Sequence, residues 1–285
     1  MPATRRQITT CAVLLSTTLV LSACANTTNP TPRSSATATL NWDTATIQRP
    51  LDAYGMNDQD ARLTQAAQEI VWARCVLGSD TVTAGVIAAA RSRLAAPLPQ
   101  SRWDFGIWDS EYVASHGWGQ SSQGSVPEDD GITVDPQTGK TCGMSDDYQS
   151  LSIINRVFVP DPAWDALFRN ANDAMNRTAQ SKAFADLVAL KRACLEGKGY
   201  AIDNEGGIGS VDMPDTWSQE QMNAGALAEA QCSDSLGFTQ KAADINASFE
   251  QDAINAHQAE LTRVKSEADD RVTRATQVLH EVGLA

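Results

Sequence analysis

From Thr239 to about Val282 the chain has neither glycine nor proline, so nothing there interrupts a helix. Ile254, His257, Leu261, Val264, Ala268, Val272, Ala275 and Leu279 recur at steps of three or four, and Glu260, Arg263, Lys265 and Glu267 fall on the other faces. The spacing predicts one amphipathic helix, more than roughly 60 Å long at about 1.5 Å per residue. Its seam is rich in alanine and valine, and the heptad spacing slips by one residue near 268–275, too thin a stripe for a self-sufficient coiled coil. Residues 239–260 are therefore expected to pack on a helical body. Residues 261–285 are expected to project as a helical tail, available to a protein or cell-wall partner or to a second copy. The competing reading is a tail that folds back.

The rest of the chain is helical in pattern as well. Asn57 or Asp58 caps a helix to about Leu77, with Ala66, Ile70 and Ala73 on one face and Gly78 as its stop. An alanine-rich helix covers about Thr81 to Leu94. Asp146 opens a helix towards Phe158. Asp161-Pro162 starts another, which breaks near Thr178 and continues through Phe184, Val188 and Cys194 to Gly197. After a linker over 201–215, Asp215 or Thr216 opens a helix through Cys232, and Gly237 permits a bend. Strand alternation is almost absent. The expected fold is all-α: an irregular helical bundle in two halves, 57–160 and 161–260, with a loop-rich segment over 98–145.

The beginning of the chain concerns location. Arg5 and Arg6 precede a short apolar run from Ile8 to Leu21, the layout of a secretory signal peptide. The run closes with Leu21-Ser22-Ala23-Cys24, which resembles the lipobox of bacterial lipoproteins. The resemblance implies removal of residues 1–23, lipidation of Cys24, and a protein held extracytoplasmically at the cell membrane. Residues 25–41, dominated by Thr, Ser, Pro and Ala, are expected to form a disordered tether behind the lipid. Removing 1–23 takes Arg5 and Arg6 from the 22 basic residues, leaving 20 against 35 acidic ones, a net charge of −15. Such a surface argues against nucleic acid as a partner.

Cysteine usage fits that compartment. With Cys11 in the leader and Cys24 lipidated, Cys75, Cys142, Cys194 and Cys232 remain, an even number suited to two disulfides. No two lie close in sequence and only three histidines exist, so no metal site and no cofactor is expected. Three connectivities are possible. Sequential pairing, Cys75 with Cys142 and Cys194 with Cys232, is expected for two reasons. A helix turn-back brings 194 near 232, and residues 73–78 echo 192–197 as helix ends carrying a cysteine. The order of Cys75, Phe105-Gly106-Ile107-Trp108-Asp109, His116-Gly117-Trp118, Cys142, Cys194-Leu195 and Gly199-Tyr200, with a long helix after Cys232, resembles uncharacterised secreted proteins and lipoproteins of high-GC Gram-positive bacteria. That resemblance implies a disulfide-stapled helical ectodomain and carries no mechanism.

Trp103, Phe105, Trp108, Tyr112 and Trp118 crowd into the loop-rich segment, where Asp109 can cap a short helix stopped by Gly117. Two readings compete: a satellite core, which is preferred, and a ligand platform made by Trp103, Trp108, Tyr112 and Trp118. Asp104-Phe105-Gly106 lacks every companion motif of a kinase. Glu128-Asp129-Asp130 lacks the spacing of an EF-hand, and Gly206-Gly207-Ile208-Gly209 lacks the lysine of a phosphate loop. His116 is the only plausible general base, and neither Gly-x-Ser-x-Gly nor HExxH occurs. The expectation is a non-enzymatic binding or scaffolding lipoprotein of the envelope with no catalytic residue. The alternative is a cell-wall glycan hydrolase using Glu111, between Trp108 and Tyr112.

Overall fold

The computed structural model describes residues 29–42, 46–95, 105–117, 134–151, 162–203 and 207–284. A two-stranded antiparallel ribbon, β1 (Thr39–Asn41) and β2 (Thr46–Gln48), leads into a 3-10 turn at Pro50–Tyr54. The helices follow: α1 (Asp58–Leu77), α2 (Ala84–Ala95), α3 (Ser110–His116), α4 (Pro136–Gly143), α5 (Asp146–Leu151), α6 (Pro162–Gln180), α7 (Lys182–Gly197), α8 (Gln219–Leu236) and α9 (Phe238–Glu281). The fold is mostly all-α. No helix among the described residues is long and apolar enough to cross a membrane.

Local chemistry sets most helix ends. Asn57 Oδ1 accepts the Asp60 N–H, and Gly78 closes α1 in the left-handed region at φ 58°. Ser181, whose hydroxyl accepts the Phe184 N–H, separates α6 from α7, three residues beyond the expected break. The linker helix starts later than expected, because Ser218 and Gln221 form a reciprocal capping box while Asp215 and Thr216 lie in the preceding turn. Residues 152–158 of the helix expected after Asp146 lie outside the described residues.

The expected disulfides are present. Cys75 is bonded to Cys142 and Cys194 to Cys232, with Cα–Cα separations of 5.7 and 6.0 Å. The first ties α1 to α4; the second ties α7 to α8.

α9 is the spine. It departs from helical geometry at His257 (φ −126°, ψ 24°), and a separate apolar cluster forms at each end. Near its start, Phe238, Ala242, Ala243 and Ala247 pack with Phe184 and Val188 of α7 and with Phe105 and Trp108. Near its end, Ala275 and Leu279 pack with Ala66, Ala67, Ile70 and Ala73 of α1 and Val86 and Ala90 of α2. This corrects the expectation of a projecting tail over 261–285: its described residues, 261–284, pack against the body. Leu261, Val264, Ala275 and Leu279 are fully buried. The alanine-rich seam suffices because it is covered in two parts: Leu261, Val264 and Ala268 by Leu51, Met56 and Leu167 from the 3-10 turn, the segment after it and α6, and Ala275 and Leu279 by the small-sided faces of α1 and α2. Each buried Leu or Val contributes about 1.5–3 kcal/mol. An ion pair between Arg74 and Glu281 at 2.8 Å adds to the closure.

The expected tether needs a second correction. Residues 33–41 are docked on α9. The N–H groups of Arg33 and Ser34 donate to the Asp252 carboxylate at 2.9 and 2.8 Å, that of Ala36 to Ser248 Oγ at 3.2 Å, and that of Ala38 to Asp244 Oδ1 at 2.8 Å. Gln240 Nε2 donates back to the Ala38 carbonyl. The match is geometric. Two extended residues advance roughly 6.6 Å, close to the roughly 6 Å of four helical residues, so one helix face at 240, 244, 248 and 252 serves as a ladder for an extended strand.

Candidate functional site

The preferred site region is the aromatic segment before and within α3. The loop leading to it is built on a buried polar hub. Glu229 of α8 is fully buried, and its Oε1 accepts from Lys191 Nζ of α7 at 2.8 Å, from the Ile107 N–H at 3.1 Å and from the Ser210 hydroxyl at 3.0 Å. Its Oε2 accepts the Val211 N–H at 3.0 Å. Burial pulls the Lys191 ammonium below its ordinary pKa, against the attraction of Glu229. The Phe238 ring lies 4.9 Å from Lys191 Nζ. Gly106 must be glycine here: its φ is 91°, and a Cβ would stand 2.7 Å from both Glu229 Oε1 and Lys191 Nζ. The hub thus pins the 105–108 and 208–211 loops between α7 and α8.

On this base Asp109 caps α3 by accepting the Tyr112 N–H at 2.8 Å. Tyr112 and His116, one turn apart, stack at 4.2 Å with an 11° angle. Trp42, half exposed at 54%, meets the buried Trp108 edge-on at 4.9 Å. Trp42, Asp109, Ser110, Glu111, Tyr112 and Asp234 line a cleft of about 560 Å³. The Ser110 hydroxyl donates to Asp234 Oδ2. Burial pushes the Asp234 carboxyl above the usual carboxylate range, against the lowering effect of the Ser110 hydrogen bonds.

The aromatic residues therefore divide. Trp108 is fully buried and acts as core, so its faces are closed to a ligand. Tyr112 lines the cleft, and Trp42, which the sequence reading left aside, supplies the exposed indole. Trp103, Trp118 and the lipidation residue Cys24 lie outside the described residues. Glu111 is exposed and borders the same cleft. His116 Nδ1 lies 3.1 Å from the Tyr112 carbonyl and 2.7 Å from Ser115 Oγ, and among the described residues it has no carboxylate partner to orient it as a base. Cys75, Cys142, Cys194 and Cys232 are all in disulfides. Among the described residues no group of three or more His, Cys, Asp or Glu could hold a metal ion.

Sequence reasoning missed Lys191 and Glu229, though each left a trace. Lys191 interrupts the apolar series Phe184, Val188, Leu195 at the step where a hydrophobe belongs, and Glu229 sits among Ala226, Ala230 and Cys232. One charge of each sign on the apolar stripes of neighbouring helices is the signature of a buried pair.

Comparison with protein-family models, curated proteins and solved structures finds no significant match.

Proposed function

We propose that this chain is an extracytoplasmic lipoprotein, anchored through Cys24, whose ectodomain binds or scaffolds a protein or cell-wall component without catalysing a reaction. The observation carrying this reading is the pair of disulfides, Cys75–Cys142 and Cys194–Cys232, which suit an oxidising compartment. The lipobox-like Leu21-Ser22-Ala23-Cys24 supports it independently. Docking of residue 33 at Asp252 leaves eight residues between the lipidated cysteine and the body, a reach of about 30 Å at most. The body would then sit close to the bilayer, the middle of α9 nearest it. The test is detergent partitioning with mass spectrometry of the mature protein. Lipid on Cys24, and loss of membrane partitioning in Cys24→Ala, are the expected results. An unmodified Cys24 in mature wild-type protein refutes the anchor.

A second reading is favoured by one feature. Glu111 and Asp234 border the same aromatic-walled cleft, the composition a glycan hydrolase needs. Zymography on cell-wall material separates the two readings: clearing that disappears in Glu111→Gln supports the enzyme, and no clearing by wild type removes it.

A further inference from the structure

The cleft walled by Trp42 and Tyr112 is one-sided in charge. Its charged lining residues, Asp109, Glu111 and Asp234, are all acidic, and among the described residues no lysine, arginine or histidine borders it. Glu111 and Asp234 are exposed, so a molecule in the cleft can reach both side chains. The Glu111 carboxylate has no hydrogen bond or ion pair to any described residue. Asp234 accepts from the Ser110 hydroxyl and has no cationic partner among the described residues. Burial pushes its carboxyl up, the Ser110 hydrogen bonds lower it, and the like charge of Asp109 raises it again. The cleft therefore carries negative charge that its own wall does not compensate.

The rest of the wall decides which cation suits it. Among the described residues no group of three or more His, Cys, Asp or Glu could hold a metal ion, so the charge is spread along the cleft and not focused on one point. The remaining surface is aromatic. Trp42 is half exposed, and its indole meets the fully buried Trp108 edge-on at 4.9 Å, a contact that positions it before any ligand arrives. Tyr112 is steadied by its stack on His116 at 4.2 Å. Aromatic faces attract cations through the ring quadrupole, tryptophan most strongly, and quaternary ammonium groups are the ligands such walls recognise. The volume of about 560 Å³ lies within the about 300–1,000 Å³ of small-ligand sites. An anion would meet like charge there. A neutral molecule would strip water from the carboxylates without offsetting their charge.

We propose that this cleft binds a small organic ammonium ion, its charged end over the Trp42 indole and within reach of Glu111 and Asp234. This rests on the non-enzymatic binding reading above and names its ligand class.

The test uses the full-length protein in a detergent without an ammonium headgroup, at constant ionic strength. Tetramethylammonium, choline, the neutral tert-butyl analogue of choline, and cellobiose are each titrated by calorimetry and saturation-transfer NMR. Both ammonium ions bind saturably, in the roughly millimolar range or tighter, and choline binds at least about tenfold more tightly than its neutral analogue. Glu111→Gln combined with Asp234→Asn keeps the shape of both exposed side chains and removes their charge; it weakens choline binding at least about tenfold and leaves the thermal midpoint near that of wild type. Trp42→Ala weakens choline binding at least about fivefold. Absence of saturable binding by both ammonium ions overturns the proposal. So does a neutral analogue that binds as tightly as choline, choline binding unchanged in the double carboxamide variant, or cellobiose binding more tightly than choline. The two readings fail separately: an unmodified Cys24 refutes the anchor with choline binding intact, and absent choline binding refutes the ligand class with the anchor intact.

Discussion

Removing the Glu229 carboxylate, by Glu229→Leu, strips the acceptor from four donors at once: Lys191 Nζ, Ser210 Oγ and the N–H groups of Ile107 and Val211. The two backbone donors and the lysine are buried and cannot turn to water. Breaking a buried ion pair from one side costs about 3–5 kcal/mol, and the orphaned neutral donors place this variant at or above the upper end of that range. Lys191→Met removes one donor only. The carboxylate left behind keeps the N–H groups of Ile107 and Val211 and the Ser210 hydroxyl, each charge-assisted hydrogen bond being worth about 1.5–3 kcal/mol. Lys191→Met is therefore milder than Glu229→Leu by about 1 kcal/mol or more. The double variant should cost less than the sum of the two, because the lysine's desolvation disappears with its partner. Urea unfolding followed by tryptophan fluorescence, with disulfides intact, measures all three. The reasoning fails if Lys191→Met costs as much as Glu229→Leu, or if Glu229→Leu costs under about 1 kcal/mol. Total stabilities of domains run about 5–15 kcal/mol, so the variants remain measurable only at low urea.

The C-terminal segment should behave as core: Leu279→Ala costs about 2–5 kcal/mol, and amide exchange at 264–279 is as slow as at 63–77 in a verified monomer; fast exchange there would restore the projecting tail. Burial pushes the Glu250 carboxyl up to about 7, against the Leu51 N–H bond and Arg49, which lower it. The native state then holds a proton that the unfolded chain releases above about pH 4.5, so stability falls between about pH 4.5 and 7, by up to about 3 kcal/mol, and is flat above. In Glu250→Gln that slope should vanish from denaturation curves measured across the same range. Asp252→Ala removes the acceptor of the Arg33 and Ser34 N–H groups, and limited proteolysis should cut it N-terminal to residue 36 faster than wild type; equal rates would mean the strap is held elsewhere.

The elements legible in the sequence are those whose causes lie within one helical turn. The Asn57 cap, the Gly78 stop and the Asp109 cap of α3 each rest on a hydrogen bond or backbone preference spanning three or four residues. Their neighbours in the chain are their neighbours in space. The Cys194–Cys232 pairing was legible for a related reason, since the return of α8 beside α7, the next helix but for a linker, brings the two together; Cys75–Cys142, with α2 and α3 between its helices, was legible only from the sequential order. The overall helical class is likewise written in local composition and period.

Tertiary structure decided everything that depends on a partner far along the chain. The stretch over 33–41 has the composition of a disordered tether, and only the acceptors at Asp244, Ser248 and Asp252, more than two hundred residues away, give it an ordered place. The thin seam from Leu261 looks too weak to hold a helix until α6 and the 3-10 turn cover its first part and α1 and α2 its end. Glu229 and Lys191 are ordinary helix formers one by one; their burial follows from the crossing of α7 and α8 and from two loops that arrive with unpaired N–H groups. A sequence specifies the period and caps of each helix directly, because those energies are short-ranged. It specifies which faces meet only through the sum of many weak contacts, and that sum is evaluated only in the folded molecule.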